Sequence, residues 1–144
     1  MGRLLAIDYG KKRTGIAVSD PLQIIANGLT TVDTHQLFDF LNAYLSQEKV
    51  DTLVVGLPRQ MNNEPSENMR RVEAFVRKFR QQYPAVPVEY SDERFSSKLA
   101  HRTMIDGGLK KKERQNKALV DEISATIILQ GYMESRRMNP PLSI

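Results

Sequence analysis

The chain contains no cysteine. That excludes disulfides and thiolate metal sites and is compatible with a reducing compartment. Of histidines there are only two, His35 and His101, in unrelated segments. Neither has a second ligand at metal spacing, so both read as surface residues. No apolar run approaches the roughly 20 residues of a membrane span. A charged leader with an apolar core segment and a small-residue cleavage site is also missing, so a cytoplasmic protein with no membrane partner is expected. The glycines match neither the Walker A pattern nor G-x-G-x-x-G. Ser91, Ser96 and Ser97 have no visible triad partners and read as caps. Carboxylates and cations are what remain for chemistry.

With 144 residues, the chain is long enough for one domain around one sizeable core. Its formal charge of +4 is unevenly spread. Cations gather at Lys11, Lys12 and Arg13, at Arg70, Arg71, Arg77, Lys78 and Arg80, and at Lys110, Lys111, Lys112, Arg114 and Lys117. Such clusters suit a polyanion, with nucleic acid the first candidate.

The opening stretch Leu4–Asp20 reads as an apolar strand ending in Asp8, a glycine-bearing basic turn, and a second strand over Arg13–Val18. A carboxylate after four apolar residues lies either at a wet strand end or beside a cation or donor. The Thr30–Val32 end of the segment 24–32 has strand character and completes an antiparallel meander. Asp33 and Gln36 have capping-box spacing, and Leu37, Phe38, Leu41, Tyr44 and Leu45 then repeat at helical intervals. Thr52–Gly56 is apolar on both parities, as in a central strand covered on both faces. Ser66 is placed to cap a second helix carrying Met69, Val72, Val76 and Phe79. Val88–Ser91, with prolines nearby, suits an edge strand. Ser96 or Ser97 can cap a third helix ending at Gly107-Gly108, and Leu109–Lys117 reads as a mobile basic loop. A last helix is expected from about Ala118 to Glu134, with a frayed tail from Ser135. The domain is taken as 1–138, with 139–144 a flexible C-terminal tail. The order β-β-β-α-β-α-β-α-α predicts one mixed five-stranded α/β sheet, three strands antiparallel and then two parallel, with helices on both faces.

Three acidic positions stand out: Asp8, the Asp92-Glu93-Arg94 cluster past the last strand, and Asp121. If the later strands run parallel to the first, Asp8 and the cluster share the carboxyl rim, where ligands of open α/β sheets bind. At about 100° per residue, Val120, Ile123 and Ile127 define the buried face of the last helix, with Ser124 beside them, and the small Ser124 and Ala125 are expected to let the helix lie close to the sheet. Asp121 then falls at the edge of that face, in line with Ala125, Ile128 and Tyr132. Converging carboxylates make a hard oxygen site suited to Mg²⁺ or Mn²⁺, and two such ions can activate water and position a phosphodiester. On the competing reading Asp92 caps a turn, Glu93 pairs with Arg94, and Asp121 sits near a helix N-terminus because negative charge is favoured there.

Ala6-Ile7-Asp8-Tyr9-Gly10-Lys11-Lys12-Arg13-Thr14-Gly15-Ile16-Ala17-Val18-Ser19-Asp20 resembles the opening signature of the bacterial YqgF family, also called RuvX, whose members are related to the Holliday-junction resolvase RuvC. Val55-Gly56-Leu57-Pro58 with Met61, then Asp92 to Ser97, then Val120-Asp121 through Ser124-Ala125 to Gln130, resemble its later motifs in family order. The resemblance implies an RNase H-like fold and carries over Asp8, Glu93 and Asp121 as catalytic, metal-binding acids. It implies a metal-dependent endonuclease that matures the 5′ end of precursor 16S ribosomal RNA in ribosome biogenesis. Branched DNA, or a weakly catalytic rRNA-binding assembly role, is the alternative. Structured RNA is thus the expected partner, free or within a ribosomal particle, for a monomer or homodimer. Lys11, Lys12, Arg13, Arg94, Lys110, Lys111, Lys112, Arg114 and Lys117 are the expected phosphate contacts. The chain departs from the family pattern at Asn62-Asn63, where an Asp-Gly-like turn is usual. It also lacks an acid at the end of Thr52–Gly56, where RuvC-like resolvases place one.

Overall fold

A computed structural model describes residues 2–57, 67–92 and 117–138. The elements are β1 (Arg3–Tyr9), β2 (Arg13–Ser19), β3 (Ala26–Asp33), α1 (Leu37–Gln47), β4 (Val50–Leu57), α2 (Glu67–Gln82), β5 (Val88–Asp92) and α3 (Lys117–Met138). The strands form one sheet in the order β3-β2-β1-β4-β5. β1, β2 and β3 are an antiparallel meander, whereas β4 and β5 run parallel to β1 and to each other. This is the mixed sheet expected from the residue pattern, with β5 on the edge.

The central strand β1 is covered on both sides, so Leu4, Leu5, Ala6 and Ile7 are all buried. Side chains alternate across a strand, and the core divides accordingly. Leu5 and Ile7 pack with Leu53 and Val55 of β4, Leu37 and Leu41 of α1, and Val72, Phe75, Val76 and Phe79 of α2. Leu4, Ala6, Ala17 and Val54 pack on the other face against Ala125, Ile128, Leu129 and Met133 of α3.

Three local expectations change. The capping box at Asp33 does not form: its side chain makes no cap hydrogen bond, and a 3-10 turn, Thr34–Gln36, precedes α1. Thr34 is held instead by the β1–β2 turn, its backbone N–H donating to Lys12 O at 2.9 Å and its hydroxyl to Gly10 O at 2.6 Å. The buried stripe of α3 is Ser124, Ala125, Ile128, Leu129 and Met133, while Ile123 and Ile127 are only half-buried. The small residues Ser124 and Ala125 let the helix lie close to the sheet, which favours their side over the bulkier isoleucines. α3 also runs on to Met138, so Ser135–Met138 is helix rather than tail, and it begins at Lys117, which the sequence places in the basic loop. The Pro58–Pro65 loop, the Ser66 cap, the third helix and the tail 139–144 lie outside the described residues.

Candidate functional site

Strand register places the first acid. Ile7 is level with Val55 of β4, and Val55 with Tyr90 of β5. Asp8 therefore stands at the carboxyl ends of the parallel strands, on the rim where β5 finishes at Asp92. Strands two apart are separated by about 10 Å. Asp8 continues the Leu4, Ala6 series, the α3 face of the sheet. It is half-buried, and no described residue gives its carboxylate a hydrogen bond or an ion pair.

α3 brings in the second element. Glu122 lies against Gly28 in mid-β3, whereas Gln130, Met133 and Glu134 line a cleft with Ile24, Ile25 and Ala26 at the start of β3. Further on, Arg136 reaches Gln23 at 3.4 Å. The helix thus runs antiparallel to β1 and its N-terminal end lies toward the rim of Asp8. Asp121 occupies the helix position one turn before the buried Ala125. Glu93, Arg94, Lys110, Lys111, Lys112 and Arg114 lie outside the described residues. Among the described residues no three His, Cys, Asp or Glu side chains cluster as a metal site.

The basic turn next to Asp8 is tightly built. A Cβ on Gly10 would collide with the carbonyl oxygen of Arg13, so only glycine fits the turn as it stands. Thr34 holds the carbonyls of Gly10 and Lys12. Since its hydroxyl proton goes to Gly10, the 2.9 Å contact with the buried Thr14 hydroxyl has Thr14 as donor. Asn68 of α2 donates to Tyr9 O at 3.1 Å. Lys11 and Lys12 are exposed on this fixed turn and Arg13 is half-buried. Thr34 and Asn68 escape a reading of the sequence because their partners are backbone atoms far along the chain, which no local spacing encodes.

A groove of about 370 Å³ opens on the opposite face of the sheet, lined among others by Tyr9, His35, Phe38, Arg71 and Lys78. Burial raises the Tyr9 phenol above its ordinary pKa, and the nearby Arg71 charge pulls it back. A larger cleft of about 560 Å³ lies between the start of β3 and the C-terminal half of α3, at the rim away from Asp8. No described helix is long and apolar enough to cross a membrane.

A mixed sheet of this order, with a carboxylate, Asp8, at the last residue but one of its central strand, is the RNase H-like class. A solved RuvC from Thermus thermophilus, in complex with a Holliday junction substrate, superimposes with a TM-score of 0.57 at 18% identity, covering 96% of this chain and 97% of that one. The family described as "RuvX: Holliday junction resolvase" matches residues 2–135, and the chain belongs to it. A protein of Bacteroides fragilis named "Putative pre-16S rRNA nuclease" is 67% identical over 138 residues, covering 96% of this chain and all of that one. A relative of the same name from Flavobacterium johnsoniae is 56% identical over 137 residues, covering 95% and 99%.

Proposed function

We propose that this protein is a divalent-metal-dependent endonuclease that matures the 5′ end of precursor 16S ribosomal RNA in the cytoplasm. The observation that carries the reading is Asp8: a half-buried carboxylate at the carboxyl rim, without a hydrogen-bond or ion-pair partner among the described residues, beside a turn bearing Lys11 and Lys12. An acid in that setting suits a bound cation, and its hard oxygens suit Mg²⁺ or Mn²⁺. The names of the relatives support nuclease chemistry on this RNA.

Asp8, Glu93 and Asp121 would hold the metal, which when bound supplies a water nucleophile and charge stabilisation at the phosphorus. The chain's own contribution is positioning. The Thr34 and Asn68 clamps fix the backbone from Tyr9 to Lys12. The ammonium groups of Lys11 and Lys12 therefore meet the RNA backbone at a set distance from Asp8. Arg13, Arg94, Lys110, Lys111, Lys112, Arg114 and Lys117 serve as further phosphate contacts. Fixed cations of this kind lower the cost of bringing two anionic groups, phosphodiester and carboxylate, together.

A second reading, resolution of branched DNA, draws on the family description and the RuvC likeness. Against it, β4 ends in Gly56-Leu57 and brings no acid to the rim. The test is incubation with a precursor 16S 5′-end RNA and, separately, a four-way DNA junction, each with Mg²⁺, Mn²⁺ or EDTA. Metal-dependent cutting of the RNA, lost in Asp8→Asn and Asp121→Asn, is expected. Symmetric junction cutting would replace the RNA reading, and tight RNA binding without cutting would leave an assembly factor.

A further inference from the structure

The cations of α2 divide into two sets. Arg71 and Lys78 line the 370 Å³ groove, whereas Arg70, Arg77 and Arg80 are exposed on the same helix outside it. Arg71 and Lys78 are seven residues apart, two helical turns or about 10 Å along the axis. The Lys78 ammonium sits 4.5 Å from the centre of the Phe38 ring, which holds a flexible cation in place. The remaining walls are mainly aromatic, Tyr9, Phe38, Phe75 and the exposed His35, together with Thr34, Leu37 and Ala74, and no carboxylate is among the described lining residues. Two cations beside aromatic surfaces match a single nucleic-acid strand, whose phosphates need charge and whose bases need a π-face.

The groove is also joined to the basic turn. Thr34 lines it and bonds the Gly10 and Lys12 carbonyls. Tyr9, the residue after Asp8, forms another wall. The groove and the basic turn are therefore neighbours.

We propose that this groove is a second binding site for single-stranded RNA, seating two consecutive phosphates on Arg71 and Lys78 and one base against Tyr9, His35 and Phe38. It gives the enzyme a hold on the strand flanking the cut, on the sheet face opposite α3. The proposal rests on RNA being the substrate, and its test is binding rather than cleavage.

A fluorescent single-stranded RNA of the precursor 5′ flank is titrated in EDTA with the full-length protein, with Arg71→Gln/Lys78→Gln, and with Arg77→Gln/Arg80→Gln as a control of equal charge on the same helix. Circular dichroism melts establish that each is folded. The groove pair should weaken binding at least tenfold and reduce the salt slope by about 1.4, the value for two lost single-strand phosphate contacts. The control pair should weaken it less than threefold. A 4-thiouridine in the RNA should cross-link to a peptide containing Tyr9 or His35, and the groove pair should abolish that cross-link. Equal losses in the two pairs, unchanged binding in the groove pair, or no binding by the wild type would each overturn the site. RNA that is bound through the groove but not cut with Mg²⁺ or Mn²⁺ would sink the nuclease reading and leave the groove standing.

Discussion

The hydroxyl of Thr34 donates to the carbonyl oxygen of Gly10 across 2.6 Å, joining the start of the α1 segment to the basic turn between β1 and β2. The same hydroxyl accepts from Thr14, which is fully buried. Removing it orphans both partners, and an unsatisfied buried group costs about 1–3 kcal/mol. Thr34→Ala should therefore lower stability by about that amount in urea titrations. At about 2–4 °C per kcal/mol for a chain of this size, a melting experiment reads it easily. Thr34→Ser, which keeps the hydroxyl, should lose much less. If both variants melt alike, the hydroxyl contributes nothing and the turn is held otherwise.

Gly28 of β3 faces α3 so closely that an added Cβ would come within 2.6 Å of Glu122 Oε1 and 3.1 Å of Thr126 Oγ1. The nearest obstacle is the end of a flexible side chain, so the cost of Gly28→Ala depends on Glu122 moving. The prediction is a coupled pair. Gly28→Ala alone destabilises by about 1 kcal/mol, and Glu122→Ala in the same chain recovers most of the loss, a coupling that a double-mutant cycle measures directly. Additive losses would mean that the helix backbone, not Glu122, sets the approach.

Much of this architecture can be read from side-chain pattern. Leu4–Ile7 and Leu53–Val55 are apolar on both parities, and both strands are buried on both faces. Leu37 and Leu41, and Val72, Val76 and Phe79, repeat at helical spacing and all are buried. Periodicity reports burial because burial is what selects the pattern. Where it fails, a tertiary contact has overruled it. Asp33 and Gln36 have the spacing of a capping box, but Thr34 is taken by the carbonyls of Gly10 and Lys12, more than twenty residues back. On α3, hydrophobicity favours Ile123 and Ile127, whereas closeness of approach favours Ser124 and Ala125. Of the candidate site, the position of Asp8 at the rim follows from strand pattern alone. The groove of Tyr9, His35, Phe38, Arg71 and Lys78 does not, since it joins three segments whose meeting depends on how α2 packs.

Asp20 gives a pH-dependent prediction. Its carboxylate accepts the backbone N–H groups of Ile24 at 2.7 Å, Ile25 at 2.8 Å and Leu22 at 3.2 Å, organising the β2–β3 loop. These bonds, led by that from Ile25, hold its pKa below the ordinary carboxylate value. A depressed folded pKa contributes stability that is present above the unfolded value, near 4. That stability is lost as pH falls through the folded value. The gap in urea midpoint between wild type and Asp20→Ala should thus be constant from pH 6 to 8. It should narrow below about pH 4. A gap that widens with acid would show that the charge of Asp20 opposes folding.

The last prediction concerns Asp8, where binding and folding separate. No described residue compensates its half-buried carboxylate, so folding of the metal-free protein gains little from that charge. Asp8→Asn should melt within about 1 kcal/mol of wild type in EDTA. Mn²⁺ should then distinguish the two proteins. A ligand bound only by the folded state stabilises by about 2.7 kcal/mol at a hundred times its Kd, so wild-type melting should rise with Mn²⁺ and that of Asp8→Asn should not. RNA cutting should fall at least a hundredfold in the variant, about 2.7 kcal/mol of transition-state stabilisation, while RNA affinity in EDTA stays unchanged. A variant that cuts normally, or a wild type whose melting ignores Mn²⁺, would remove Asp8 from the metal site. An affinity that falls with cutting would instead mean that Asp8→Asn has disturbed the neighbouring turn, which the Thr34 and Asn68 clamps hold in place.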